Sequence, residues 1–324
     1  MNRTKQLLIS CLVLLCCGTT AWADVEINET NFPDENFRNW VRGQEYGSDG
    51  VLTDEEIASV KIINVEEKEI QSLQGIDYFT ELFLLICNNN QLKTLDLSKN
   101  TALTSVESNS NQLTALDVSK NTALKHLLCE DNQLTTLDVS GCTALTILKC
   151  SNNQLTALDV SKNTELIILE CWSNRLTTLD VLNKTALTNL YCYKNLLTSL
   201  DVSGCTALGV VDCSINQLKG MAMDALVESL PTVSVGSIEV IWNENEQNEM
   251  TSVQVAAAKA KGWVPFYIPD DANGWHEYEG SDPNGVKTLM CPNKDSEIWN
   301  LAGQRLQKVQ RGVNVVGGKK VIMK

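Results

Sequence analysis

The stretch Leu124-Lys-His-Leu-Leu-Cys-Glu-Asp-Asn-Gln-Leu-Thr-Thr-Leu-Asp-Val-Ser-Gly-Cys-Thr-Ala144 decides how the chain folds, because Leu145 to Glu165 repeats its fixed positions. Working outward, asparagine returns every 21 residues at Asn90, Asn111, Asn132, Asn153, Asn174, Asn195 and Asn216. Cysteine stands three residues earlier at Cys87, Cys129, Cys150, Cys171, Cys192 and Cys213, with the similarly sized Ser108 filling the one gap. A period of this length without slippage describes a solenoid, in which each copy stacks on the last.

Each column has a physical role. Leu124, Leu127, Cys129, Leu134 and Leu137 point inward, and one turn cannot bury them alone, so neighbouring turns supply the core. Leu127 and Cys129 mark a short strand, and successive strands form a parallel sheet at roughly 4.8 Å spacing. The asparagines fall where the chain leaves the strand, where an amide can satisfy backbone groups opened by the bend.

The unit L-x-x-L-x-C-x-x-N-x-L-T-x-L-D-V-S-K-N-T-A resembles the leucine-rich repeat, and more narrowly the internalin-like class whose 21-residue units carry an inward cysteine. The resemblance covers Val60 to about Leu218, with an imperfect first turn in Val60, Ile63, Val65, Ile70 and Leu73. It implies an α/β-type solenoid with a parallel sheet on the concave face. It also implies an exported or cell-surface protein that recognises an extracellular protein or glycan, adhesin-like and without enzymatic activity. The alternative is a structural or scaffolding protein of the bacterial envelope.

Twelve cysteines, three of them (Cys11, Cys16, Cys17) within the first 23 residues, leave nine. Side chains of one parallel column point the same way, which is poor geometry for a bridge. Cys142 and Cys205 lie three turns apart, roughly 14 Å and beyond disulfide reach. They are read as buried small hydrophobes. No C-x-x-C pair exists and neither His126 nor His276 is spaced for zinc. Asp96, Asp117, Asp138, Asp159, Asp180 and Asp201 form a further column, where like charges about 5 Å apart repel by roughly 0.8 kcal/mol in water. Bonds from the amides of each D-V-S-x-N-T bend are expected to offset this, in preference to a row of calcium ions.

The domains read as a signal peptide (1–23), a helical N-terminal cap (24–59), the repeats (60–219), an α/β C-terminal cap (220–269), a linker (270–297) and a short β-rich segment (298–324). Arg3, Lys5, the apolar run from Leu7 to Cys17 and Ala21-Trp22-Ala23 are export features. Leu8-Ile9-Ser10-Cys11 fits a lipid-anchor pattern, but the apolar run continues past Cys11 and simple cleavage is the expectation. In the first cap, Pro33 is expected in the first turn of a helix and Thr53 to Glu56 forms a capping box. Glu45 to Glu56 faintly echoes a calcium loop, with Glu45 first and Gly47 third as departures. In the second cap, Trp242 and Trp263 are read as bulk over the last turn; Pro269 to Pro292, rich in Asp, Gly, Asn and Pro, reads as a linker. The final segment should form two or three strands with turns at Gly303 and Gly317-Gly318. It resembles short terminal segments of surface proteins of Gram-negative anaerobes. From Lys294 to Lys324 there are seven basic and two acidic residues, so +5 against −19 for the rest of a chain of net charge −14. That contrast suits contact with an anionic bacterial outer surface.

Positions that vary between copies are where binding would sit. The outward strand columns place Trp172, Tyr191 and Tyr193 on neighbouring turns, with Lys149, Glu170, Ile147, Ile168, Asn189 and Lys194 around them. Tryptophan and tyrosine dominate interface energetics. Catalytic motifs such as G-x-S-x-G and H-E-x-x-H are absent from the sequence, and no cofactor, metal or nucleic-acid partner is expected. A monomer is expected. Unfolded without reductant, the chain after residue 23 should titrate all nine thiols, and loss of two or more from that count would mean bridges.

Overall fold

In this computed structural model the described residues are 24–242, 246–267 and 276–281, together with the backbone of four strands in 298–323. Residues 1–23, expected to be a signal peptide, most of 268–297 and Cys291 lie outside them. The chain divides into two units, 1–280 and 281–324. In the first, β1 (Val25–Glu26) pairs antiparallel with β2 (Val51–Leu52), flanking α1 (Glu35–Arg42), and α2 (Asp54–Ser59) follows. The array is a run of three-residue parallel strands: β3 (Ile62–Asn64), β4 (Leu84–Ile86), β5 (Ser105–Glu107), β6 (His126–Leu128), β7 (Ile147–Lys149), β8 (Ile168–Glu170), β9 (Asn189–Tyr191) and β10 (Val210–Asp212). The cap adds α3 (Met221–Ser229), β11 (Gly236–Ile241), α4 (Ser252–Ala260), β12 (Trp263–Tyr267) and β13 (His276–Glu277).

One 11-stranded sheet runs without interruption from β3 to β13, and only β13 is antiparallel. Residues 276 and 277, expected in a linker, are therefore a sheet edge, because alternating His276 and Glu277 pair with Tyr267 and Phe266. In the second unit β14 (Ile298–Asn300), β15 (Arg305–Leu306), β16 (Gly312–Val316) and β17 (Lys319–Met323) form a four-stranded antiparallel sheet, one strand more than expected. Among the described residues no helix is long and apolar enough to cross a membrane.

The middle residue of every array strand is buried, as are the leucine columns at 124, 134 and 137 and their counterparts. Cys87, Cys129, Cys150, Cys171, Cys192 and Cys213 lie in this core as free thiols, and Ser108 completes the column by donating to the Leu128 carbonyl at 3.4 Å. Burial pushes the Cys87, Cys129 and Cys171 thiols up to about 12, so they are packing groups and not nucleophiles.

The asparagines bond to backbone and not to one another. Asn153 Nδ2 donates to the carbonyls of Cys129, Cys150 and Ser151 at 2.9 to 3.1 Å, and its Oδ1 accepts the Leu134 N–H at 2.9 Å. The same four contacts recur at Asn132, Asn174 and Asn216. Each amide thus ties its own bend to the turn before. The residue before each asparagine, from Asn89 to Ile215, is left-handed with φ between 50° and 55°. Asn, Asp and Ser fill most of these positions, but Ile215, β-branched, is strained there.

A second ladder crosses the opposite side of the coil. Asn100, Asn121 and Asn163 donate to two carbonyls of the preceding turn at 2.8 to 3.1 Å. Cys142 and Cys205 occupy this column and are more than small hydrophobes: Cys142 Sγ donates to the Val118 and Asn121 carbonyls at 3.7 Å, and Cys205 Sγ to the Val181 carbonyl at 3.1 Å. In the second of the two turns between them, Asn183 and Lys184 are transposed relative to Lys-Asn, so Lys184 fills the slot at 3% exposure and burial lowers its pKa.

The aspartate column behaves as its bends require. Asp96, Asp117, Asp138, Asp159, Asp180 and Asp201 each accept the N–H two residues on, at 2.8 to 3.0 Å. Bonds from the amide and hydroxyl of the serine two residues on, the hydroxyl leading at Asp138, hold Asp96, Asp117, Asp138 and Asp159 below the usual carboxylate range.

At the first end, Phe32, Phe37 and Val41 cover the core. Helix α1 begins at Glu35 with Asp34 as its cap, so Pro33 precedes the helix instead of entering its first turn. Asp34 also accepts the Gln71 and Ser72 N–H groups at 2.8 and 3.2 Å, which joins cap to array. Glu56 closes the capping box through Thr53, so its carboxylate is used locally. At the far end Trp263 is fully buried, its indole N–H donating to Pro231 at 2.7 Å, and a Cβ on Gly236 would come within 2.9 Å of its ring. Asn248 extends the asparagine ladder beyond the repeats, donating to Cys213 and Val240 and accepting from Leu218 at 2.7 to 2.9 Å.

Asn153→Ala leaves several buried backbone groups unpaired at once and should cost about 3 kcal/mol or more in chemical denaturation. Exchanging Asn183 and Lys184 restores the amide to the second ladder and should stabilise by about 1 kcal/mol, raising the melting temperature by a few degrees.

Candidate binding surface on the concave face

Three-residue strands whose middle side chain is buried turn their first and last side chains outward, which sets two columns on the concave sheet. A third column follows the cysteine. Parallel register places Ile147 beside Ile168 and Asn189, and Lys149 beside Glu170 and Tyr191. All of these are partly exposed.

Trp172 and Tyr193, one turn apart, stack with centroids at 5.1 Å and planes at 6°. Trp242 continues the stack, 5.7 Å from Tyr193 at 22°. Its role is therefore not bulk over the last turn, which Trp263 provides. Ser214, in this column between Tyr193 and the cap, is buried, and its small side chain leaves room for Trp242 to reach Tyr193. Such offset stacks add about 1 kcal/mol per pair beyond burial, so the ridge is preorganised.

Lys149 and Glu170 form an ion pair at 2.8 Å. Glu130 stands near both, and burial first, then Glu170, raises its pKa, while Lys149 opposes the shift. One cation thus serves two carboxylates. Asn189 Nδ2 donates to the Tyr191 hydroxyl at 3.2 Å, holding that ring beside the patch. Lys194 belongs to the rim: it is the left-handed residue of its bend and lines a depression of about 280 Å³ with Ile215 and Gln247.

Beneath the cap end of the stack, Asp212 and Glu239 are register partners on β10 and β11, only 3% and 2% exposed. They share a hydrogen bond, which requires a proton on one of them, and burial raises both pKa values. Asp212 also accepts from Ser214 N–H and Oγ–H at 3.1 and 2.7 Å. Burial pushes the Tyr193 phenol up to about 12, with the nearby carboxylates adding to the shift. Among the described residues no group of three or more His, Cys, Asp or Glu is arranged to hold a metal ion.

Of the residues expected from sequence, Trp172, Tyr191, Tyr193, Lys149, Glu170, Ile147, Ile168 and Asn189 share the concave sheet. Trp242 was not among them because the cap breaks the 21-residue count, and only the pairing of β11 with β10 puts it in line. A second, apolar patch lies at the first turns. Ile62 (52% exposed) and Phe83 (41%) flank the partly exposed Leu84 and Ile86 at the first turns. Their outward columns could have been read for apolar residues as they were for aromatic ones.

No family model matches the chain. Internalin J of Listeria monocytogenes is 39% identical over 71 residues, 22% of this chain and 8% of that protein. The solved functional domain of InlJ from the same organism, described as including a cysteine ladder, is 27% identical with a TM-score of 0.50, covering 77% of this chain and 62% of that one. Internalin C2 of Listeria monocytogenes shares the fold at 22% identity and a TM-score of 0.55, over 61% of this chain and 91% of that one. The chain thus spans less than two thirds of the internalin J sequence and of its solved domain. With the repeat, the buried thiol column and the parallel concave sheet in agreement, the chain is a leucine-rich-repeat solenoid similar to internalin J and its cysteine-ladder domain.

Proposed function

We propose that this is an exported, non-enzymatic recognition protein whose concave face binds a protein partner. The observation that carries the reading is the partly exposed stack of Trp172, Tyr193 and Trp242 on an otherwise regular sheet. A scaffold needs no such ridge, and stacked aromatics with fixed rotamers bind at low entropic cost.

The stack also favours protein over glycan. Sugars bind tryptophan by laying C–H groups on a ring face, and here Tyr193 has a ring against each face while Trp172 and Trp242 each have one. Stacking thus covers both faces of the central ring and one face of each outer ring, which reduces the ring face open to a sugar and suits an apolar or cationic protein side chain. The aliphatic surface of Ile147 and Ile168 lies alongside, and Ile62, Phe83, Leu84 and Ile86 offer a second anchor. Between them Glu107 and Glu130 leave the face acidic, since Lys149 is already paired with Glu170. The partner is therefore a protein with aliphatic anchors and basic residues between them, and adhesion to a host protein is the setting this fits.

A screen of the chain against extracellular proteins and a glycan array tests this. Saturable protein binding is expected, with Trp172→Ala or Tyr193→Ala each costing about 2 kcal/mol, roughly thirtyfold in Kd. Binding to glycans alone, or affinity unchanged in both variants, would refute the reading, and silence in both screens alongside loss of envelope integrity on deletion would favour a scaffold.

A further inference from the structure

We propose that the Asp212–Glu239 carboxyl pair is a proton-operated latch for the aromatic ridge: with one shared proton it seats Trp242 on Tyr193, and without it the seat loosens. As regulation of the concave surface this rests on the recognition reading, but the latch itself concerns this chain alone.

The geometry is specific. Asp212 and Glu239 sit side by side on paired strands, almost wholly buried, where two negative charges cannot both be solvated. Their mutual hydrogen bond exists only while one keeps its proton, and Glu239 Oε1 is buried with no partner among the described residues to compensate a full charge. A third carboxylate is adjacent: Glu246, 6% exposed, accepts the N–H groups of Ile215, Trp242, Gln247 and Asn248. Its charge is spent on holding the segment that carries Trp242, and it adds to the repulsion felt by Asp212. Deprotonation of the pair therefore places three buried carboxylates against one another, directly under the residue whose backbone Glu246 fixes.

Among the described residues no cation relieves this. From β9 the facing groups are Tyr191 and Tyr193; from β8, Glu170, already paired with Lys149; beyond it, Glu130. Strand β12 presents Phe266 opposite Glu239, and on the core side lie the Cys192 and Cys213 thiols. Glu244 lies outside the described residues. Among the described residues, no ammonium or guanidinium pairs with either carboxyl. The Tyr193 phenol stays neutral through the range concerned, so its own ionisation does not cause the change.

The sign follows from linkage. Both carboxyls are raised in the folded state, so above the ordinary carboxylate range the folded chain holds a proton that the unfolded chain has released. Stability from the pair is full only at and below the ordinary carboxylate range, falls steadily as pH rises above it, and is lost once pH passes the raised folded values. The depressed aspartates of the outer bends act oppositely, and only in acid.

The test needs no ligand. Near-ultraviolet circular dichroism, tryptophan emission and thermal melting of the full chain are followed from about pH 5 to about pH 9.5. A reversible change in the aromatic signals is expected as pH rises, with the melting temperature falling by roughly 5 °C or more. In Glu239→Gln the amide donates to Asp212 at every pH, and both profiles should flatten. Asp212→Asn makes the mirror-image bond and serves if the first variant does not fold. A flat wild-type profile, or variants that keep the wild-type profile, would overturn the proposal. So would recovery of the signal at pH 9 on adding millimolar calcium, which would make the pair a cation site. Failure of the recognition reading would leave these ligand-free signals unchanged, so the two outcomes are separable.

Discussion

The amide of one asparagine per turn is the constraint on which the rest of this molecule depends. A coil with three-residue strands leaves most of its backbone in bends, and buried N–H and carbonyl groups without partners cost about 1 to 3 kcal/mol each. Asn153 and its counterparts answer four of these groups per turn, two on their own bend and two on the turn before. The turn-to-turn bonds fix pitch as well as satisfy polarity, and leucines and thiols fill what lies between. Asparagine alone suits this role: aspartate lacks the donor, and glutamine places the amide one carbon too far from the bend.

That regularity is what makes the concave face usable. When strands recur at one spacing, outward side chains at equivalent positions meet at the distance of an aromatic stack, so Trp172 and Tyr193 lie nearly parallel without further support. The same spacing forces like charges together, and the chain treats them in two ways. In the outer bends each aspartate is tied to its own backbone and remains a solvated carboxylate. Beneath the cap, where solvent is excluded, Asp212 and Glu239 share a proton instead.

The ends of the array show how a periodic structure is stopped. At the first end, aromatic side chains cover the core and Asp34 links helix to array. At the second, the sheet continues through β11 and β12, and Asn248 takes up the ladder contacts after a helix and a strand have intervened. The hydrogen-bond pattern thus outlasts the sequence repeat. The defects are equally informative: Ser108 completes the thiol column with a hydrogen bond, Cys142 and Cys205 act as weak donors in an asparagine slot, and Lys184 occupies such a slot at the cost of burying part of a charged side chain.

The coil, its pitch, the inward and outward columns, the bonding of each aspartate within its bend and most of the concave patch are legible in the residue order alone. These follow from interactions between residues a fixed number apart, which a period records directly. That Trp242 joins the aromatic stack, that Asn248 ends the ladder and that Asp212 meets Glu239 emerges from the folded arrangement instead. Each of those contacts crosses from the array into the cap, where helix α3 and its loops break the count of 21, so strand pairing and not spacing in the chain brings the partners together. The parallel planes that cover the ring faces are likewise a matter of rotamers, which are fixed by packing against neighbouring turns and leave no mark in the pattern of residue types.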